Sequence, residues 1–205
     1  MSDEMSRFRV RRVFRPFVYK IAESLAEMGI RPNHITVVSL LSAVISAIFI
    51  ALSNVLLAGI AIFMTGLLDG VDGAIARIMN METRKGAFLD AMLDRYGDVI
   101  IIGSFLFYEP KVFFLFRFEL WILVAIIGSL MVSYSRARGE AMGVRCLDVG
   151  LMGRSERLFL LTIFCILGLF DPRLPSFGLI LLAILSNATA LHRIFFGFRM
   201  LNTNR

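Results

Sequence analysis

Apolar runs of about 20 residues recur along the chain, separated by short polar turns, and a run of that length crosses a bilayer core as one helix. Hydrophobic residues make up 58% of the 205 and the mean hydropathy is +0.76, far above a soluble domain. The expected fold is therefore an all-α integral membrane protein with six transmembrane helices, at roughly 34–52, 54–79, 86–108, 112–135, 157–170 and 177–196. Ahead of them, residues 7–29 place Arg7, Arg9, Arg11, Arg12 and Arg15 before Phe17, Ile21, Leu25 and Met28, the last four at helical spacing. That pattern predicts an N-terminal interfacial amphipathic helix with its basic residues toward anionic headgroups. Gly29 ends it, Ile30-Arg31-Pro32 turns the chain into the bilayer, and Asn33 is the expected cap of the first span. The chain thus divides into a juxtamembrane helix over 1–31 and a six-span domain over 32–205, one domain's worth of sequence.

Six spans put both ends on one side of the membrane. That topology leaves only Lys111, Arg117 and Arg173 on one face and every other Lys and Arg on the opposite one. By the positive-inside rule the N-terminus and C-terminus are cytoplasmic in a multi-pass protein of the cell membrane. The net charge of +6 is spread over inter-span loops, which reads as orientation and lipid contact rather than nucleic-acid binding. The start of the chain lacks the pattern of a removable signal peptide. Two cysteines, Cys146 and Cys165, support neither a disulfide framework nor a zinc site, and His34 reads as an interfacial polar residue rather than a ligand.

Against this apolar background, residues 69–94 read DGVDGAIARIMNMETRKGAFLDAMLD. On a helix, Asp72 lies about 60° behind Asp69, Gly73 about 40° ahead and Ala76 about 20° behind, so two acids and two small residues share one narrow face. Asp90 and Asp94 are one turn apart on the next helix, with Gly86 a turn earlier. A short polar turn near residues 80–85 makes the two helices antiparallel neighbours whose acidic faces meet, at the cytoplasmic end of the spans. Four carboxylates so close in a low dielectric need a counter-charge, and a hard divalent ion with oxygen ligands fits; Mg²⁺ is the usual choice where phosphates complete the shell, with Mn²⁺ as a substitute. The small residues admit either a bulky ligand against the backbone or tight helix packing. Asp98 continues the Asp90–Asp94 face by one turn and reads as an acid that holds Arg95 or another helix in place, with an extra metal ligand as the alternative.

The pattern Asp69-x2-Asp72-Gly73-x2-Ala76-Arg77-x8-Gly86-x3-Asp90-x3-Asp94 resembles the complete signature of the CDP-alcohol phosphatidyltransferases. The resemblance implies an integral membrane enzyme of phospholipid biosynthesis. Such an enzyme moves a phosphatidyl-type group from a CDP-lipid, CDP-diacylglycerol or CDP-archaeol, to an alcohol and releases CMP. It implies a pair of divalent ions held by Asp69, Asp72, Asp90 and Asp94, with Asp94 as general base. It also implies a CDP-lipid pocket bordered by Asn33, Thr36, Asp69, Gly73, Ala76, Arg77 and Gly86, and a homodimer.

For the acceptor, Arg136, Arg138, Arg154, Arg157 and Arg193 gather near the expected pocket, and guanidinium forks suit a phosphorylated alcohol, although positive-inside charge explains part of the cluster. YSRARGEA and GRSERL are similar to the sub-family that makes phosphatidylinositol phosphate or archaetidylinositol phosphate from 1L-myo-inositol 1-phosphate. This chain has Arg136 where that sub-family tends to have Lys, and Ser155 where it has Pro. Glycerol 3-phosphate or serine would be the alternative acceptors. A divalent-cation channel or carrier would instead spread its acids across the membrane depth, whereas these cluster at one face beside Arg77.

Overall fold

Seven helices run through the described residues: α1 (Val10–Glu27), α2 (Pro32–Ala51), α3 (Val55–Ile78), α4 (Arg84–Ser104), α5 (Phe118–Ala141), α6 (Arg154–Leu167) and α7 (Leu174–Thr203). They are seen in a computed structural model that describes residues 10–144 and 149–203. Arg7, Arg9, Arg145, Cys146 and Arg205 lie outside the described residues, as do the side chains of Arg11 and Arg12. The described residues are all-α apart from one isolated bridge between Phe114 and Phe116.

Four helices, α2, α3, α5 and α7, are long and apolar enough to cross a membrane, which makes this a multi-pass membrane protein. The other two expected spans form helices of a different character. The 21 residues of α4 carry Asp90, Asp94, Arg95 and Asp98 in addition to a basic start, which lowers its hydropathy. With 14 residues α6 is only about 21 Å long, against a hydrocarbon core of about 30 Å.

At three of the boundaries that differ from expectation the local reason is visible. The first span is capped by Arg31, with Pro32 in its first turn, where a missing N–H costs nothing; Asn33 is therefore inside the helix and its side chain is not the cap. The fourth span starts at Phe118 instead of residue 112. Residues 113–116 are apolar but non-helical: Leu115 has φ 58°, and the Phe114 carbonyl accepts from Trp121 Nε1 at 2.7 Å. The last helix starts at Leu174, so Pro175 lies in its first turn rather than in the turn before it.

The acidic stretch folds as its spacing requires. Ile78 is the last residue of α3, Asn80 turns the chain at φ 54°, a conformation Asn tolerates, and the Thr83 hydroxyl caps α4 by accepting from Gly86 N at 3.0 Å. Around this pair, α2 packs along α3 and α4, α6 lies against α3, and α5 lies along α7. Polar bonds reinforce the α2–α3 seam, from Ser39 Oγ to the Thr65 carbonyl (3.1 Å) and from Ser42 Oγ to the Ala61 carbonyl (3.0 Å). At Gly59, an added Cβ would meet Ile166 Cγ1 at 3.2 Å and Cys165 Cβ at 3.3 Å, so this glycine is what lets α3 and α6 approach. The core fills the interior with Ile62, Ile101, Phe105, Ile122, Leu161 and Leu179.

The amphipathic helix α1 uses its apolar side on the protein. Ala22 is fully buried and Val18, Ile21 and Leu25 pack on Val71, Ala74 and Ile75 of α3, while Phe17 and Met28 stay exposed. Of the four apolar residues in the expected stripe, two therefore serve packing and two face outward.

Candidate active site

Asp69 and Asp72 leave the last turns of α3, and Asp90, Asp94 and Asp98 leave successive turns of α4. Antiparallel packing brings the carboxylate oxygens of Asp69, Asp90 and Asp94 within 4.8 Å of one another. Asp72 lines the same cavity but stands outside that trio. Its carboxylate is buried and accepts from Thr36 Oγ1 of α2 at 2.8 Å and from Gly73 N at 2.5 Å.

The cavity above the acids measures about 310 Å³. Its other walls are supplied by α5, α6 and α7 through Arg136, Arg154, Arg157 and Arg193, with Ser133, Ser155 and Glu156 between them. Arg138, an expected member of this group, is exposed and is not among the lining residues: it leaves α5 on another side from Arg136. The remaining four arginines are held very differently. Arg136 is half exposed and pairs with Glu140 one turn on, at 2.8 Å. Arg193, 4% exposed, donates from Nε to the Val149 carbonyl (2.8 Å) and from Nη1 to the Val132 carbonyl (2.7 Å). Arg157, 2% exposed, donates from Nη2 to Asp98 Oδ2 (2.6 Å) and from Nη1 to the Met152 carbonyl (3.1 Å). Arg154 turns to the acids, with Nη1 paired to Asp69 and 2.7 Å from Asp94 Oδ1, and Nε 3.5 Å from Asp98 Oδ1.

Asp98 is thus the acid that ties three helices together. Besides Arg154 and Arg157 of α6, it accepts from Ser129 Oγ of α5 at 3.0 Å. Pairing and hydrogen bonding on both oxygens is what makes so deeply buried a charge tolerable.

A second cavity of about 170 Å³ opens beside the first, walled by α2, the end of α3 and the start of α4. Asn33, Thr36, Asp72, Gly73, Ala76, Arg77, Gly86 and Asp90 line it; Asp69 opens to the first cavity and not to this one. A Cβ on Gly73 would meet only the Arg77 guanidinium, at 3.7 Å, so this glycine keeps a cavity floor bare rather than admitting a neighbouring helix. Arg77 itself is steered by α1: its Nε donates to the Tyr19 hydroxyl at 3.0 Å and its guanidinium lies 5.7 Å from the Tyr19 ring centre, with Arg15 5.4 Å from the same ring. The two guanidiniums hold the Tyr19 hydroxyl below its usual pKa, chiefly through the Arg77 hydrogen bond. Tyr19 was not foreseen from the sequence. Its spacing to Arg15 is a helical i,i+4 signal, but nothing local links it to Arg77, 58 positions on.

An apolar pocket completes the site. Phe14 and Val18 of α1, Phe63 and Leu67 of α3, and Leu158 and Phe159 of α6 line it, and it reaches Asp69 and Ser155 at its polar end.

Three carboxylates whose oxygens lie within 4.8 Å of one another suit a divalent cation by donor chemistry, hard oxygen donors to a hard ion. Residues 29–195 match the family model for CDP-alcohol phosphatidyltransferase. The chain belongs to that family. As such it is a membrane-embedded transferase of phospholipid biosynthesis. The archaetidylinositol phosphate synthase of Pyrococcus horikoshii is 35% identical over 176 residues, covering 86% of this chain and 88% of its own length. Two crystal structures of the Mycobacterium tuberculosis phosphatidylinositol phosphate synthase share the fold. The one with CDP-DAG bound has a TM-score of 0.74 at 27% identity, over 88% of this chain and 93% of that one. The one in complex with manganese and citrate has a TM-score of 0.75 at 28% identity, over 88% of each chain.

Proposed function

We propose that this transferase moves the phosphatidyl or archaetidyl group of a CDP-lipid, CDP-diacylglycerol or CDP-archaeol, onto a hydroxyl of 1L-myo-inositol 1-phosphate and releases CMP. The observation that carries this reading is a single cavity with carboxylates on one wall and Arg136, Arg154, Arg157 and Arg193 on the other. Carboxylates of that kind have no use for an anionic acceptor, and guanidiniums have none for a neutral one. Relatives named for inositol phosphate chemistry support the same acceptor.

In this reading the diphosphate lies between the two cavities. Asp69, Asp72, Asp90 and Asp94 hold two divalent ions, Mg²⁺ or Mn²⁺, which supply charge neutralisation for the diphosphate and the departing CMP. Asn33, Thr36, Gly73, Ala76, Arg77 and Gly86 border the cytidine side, with Gly73 and Ala76 leaving room for the base and Arg77 reaching a phosphate oxygen. Asp94 takes the proton from the attacking hydroxyl as its oxygen bonds to the lipid-bearing phosphorus and the bond from that phosphorus to CMP breaks. Arg136, Arg154, Arg157 and Arg193 orient the acceptor phosphate; Arg138, outside the cavity, takes no part. The apolar pocket beside Asp69 seats a lipid tail.

The same reading makes α4 and α6 shorter crossings beside the four long ones, giving six spans in 32–205 behind the juxtamembrane helix of 1–31. The basic residues at the acid-bearing end favour a cytoplasmic site with both termini on that side. The assembly is a homodimer. The test is CMP release with a CDP-lipid, Mg²⁺ and 1L-myo-inositol 1-phosphate, with glycerol 3-phosphate and serine run in parallel. Turnover with the first acceptor alone is expected, and inactivity with every phosphorylated alcohol would overturn the assignment.

A further inference from the structure

One nitrogen of Arg154 stands between two of the acids assigned to the divalent cation. Its Nη1 is ion-paired with Asp69 of α3 and lies 2.7 Å from Asp94 Oδ1 of α4. Asp69 and Asp94 are two of the three residues whose carboxylate oxygens converge within 4.8 Å. A divalent ion needs ligand oxygens at about 2.0–2.1 Å, so it must close on the same two carboxylates that the guanidinium now neutralises, and at that range the two cations repel. The two modes of neutralising the pair therefore oppose each other.

Arg154 has somewhere else to go. It is the first residue of α6 after the cap position Gly153, at the rim of the cavity that Arg136 and Arg193 also line. Its Nη2 rests 3.7 Å from where a side chain on Gly97 would begin, so the absence of a Cβ there leaves room beside α4. Arg157, one turn on, has no such freedom, because it is locked to Asp98 and to the Met152 carbonyl.

We propose that Arg154 and the divalent cation compete for Asp69 and Asp94, so that metal loading hands Arg154 over to the acceptor's phosphate. This rests on the metal assignment above. It makes Arg154 a positioning residue for the metal site as well as a ligand of the acceptor, and it orders the reaction: the acceptor side is complete only once the metal is in. By reciprocity an anion that draws Arg154 away strengthens metal binding.

A purely structural clamp would predict the opposite sign, since removing it would let the carboxylates drift apart and weaken the metal. Mn²⁺ is therefore titrated into the 205-residue chain in detergent, with free ion read by electron paramagnetic resonance. Arg154→Gln should bind Mn²⁺ at least fivefold more tightly than the unaltered chain. Arg136→Gln, the same charge change on the same cavity, should shift it less than twofold. Inorganic phosphate should tighten Mn²⁺ binding in the unaltered chain by a larger factor than in Arg154→Gln. Equal or weaker binding by Arg154→Gln overturns the competition, and so does an equal gain in Arg136→Gln. If Arg154→Gln does not yield folded protein, Arg154→Lys is measured instead; its single point charge cannot bridge both acids, and a twofold to threefold gain is expected, with no gain overturning the proposal. Absence of Mn²⁺ binding in the unaltered chain would instead remove the metal assignment itself, which separates the two failures.

Discussion

Asp94 and Asp98 sit one turn apart on α4 and are bound for opposite fates by their neighbours. Both oxygens of Asp98 are engaged, by Arg157, Arg154 and Ser129, so it serves as a buried anchor. Asp98→Asn leaves Arg157 buried without its counter-charge, and the loss is expected at about 3–5 kcal/mol, seen as a collapse of the monodisperse folded fraction in detergent. Asp94 faces the cavity and, among the described residues, is ion-paired with Arg154 and, at 3.7 Å, with Arg95. Asp94→Asn should leave the fold intact and lower kcat for CMP release by about 10²–10⁴, the range for loss of a general base, while CDP-lipid binding changes far less. Spacing put both acids on one helical face, and the absence of Asp98 from the family signature favoured its holding Arg95 or another helix over binding metal. Which neighbour was not legible, because Arg157 is 59 residues away and periodicity carries no information across such a gap. Arg154 shows the same limit more sharply. Its charge and position suggested an acceptor phosphate, and only packing shows that it also reaches Asp69 and Asp94.

Helices were the most legible level, because a membrane imposes a length and a period that the chain must satisfy. The boundaries were less so, and each miss has its own cause. Residues 113–116 are apolar enough to extend the fourth span, yet Trp121 bonds to their backbone and Leu115 leaves helical geometry. Small residues on α3 looked alike in sequence but do different things. Gly59 is filled by α6, whereas Gly73 faces the cavity with only Arg77 nearby. Gly73→Ala should therefore fold like the unaltered chain yet raise the CDP-lipid KM about tenfold, equivalent to about 1.4 kcal/mol and within the usual cost of over-filling a packed space. Gly59→Ala should do the reverse, lowering the melting temperature in detergent and leaving KM unchanged.

For the whole molecule, the charge asymmetry predicts one orientation. In a background lacking Cys146 and Cys165, a cysteine at Glu82, in the turn between α3 and α4, should be labelled by an impermeant thiol reagent only from the cytoplasmic face, and one at Glu109 only from the opposite face. Labelling of both from one side would remove the single crossing, α4, that the six-span topology puts between them. Finally, α6 is too short for its depth to be set by hydrophobic matching to the surrounding lipid. Arg157 at its start is fastened instead to Asp98, so the helix hangs from a charge clamp inside the protein. The reacting groups are thereby referenced to each other and not to the thickness of the bilayer, and CMP release should vary less than about twofold across vesicles whose acyl chains run from 14 to 20 carbons.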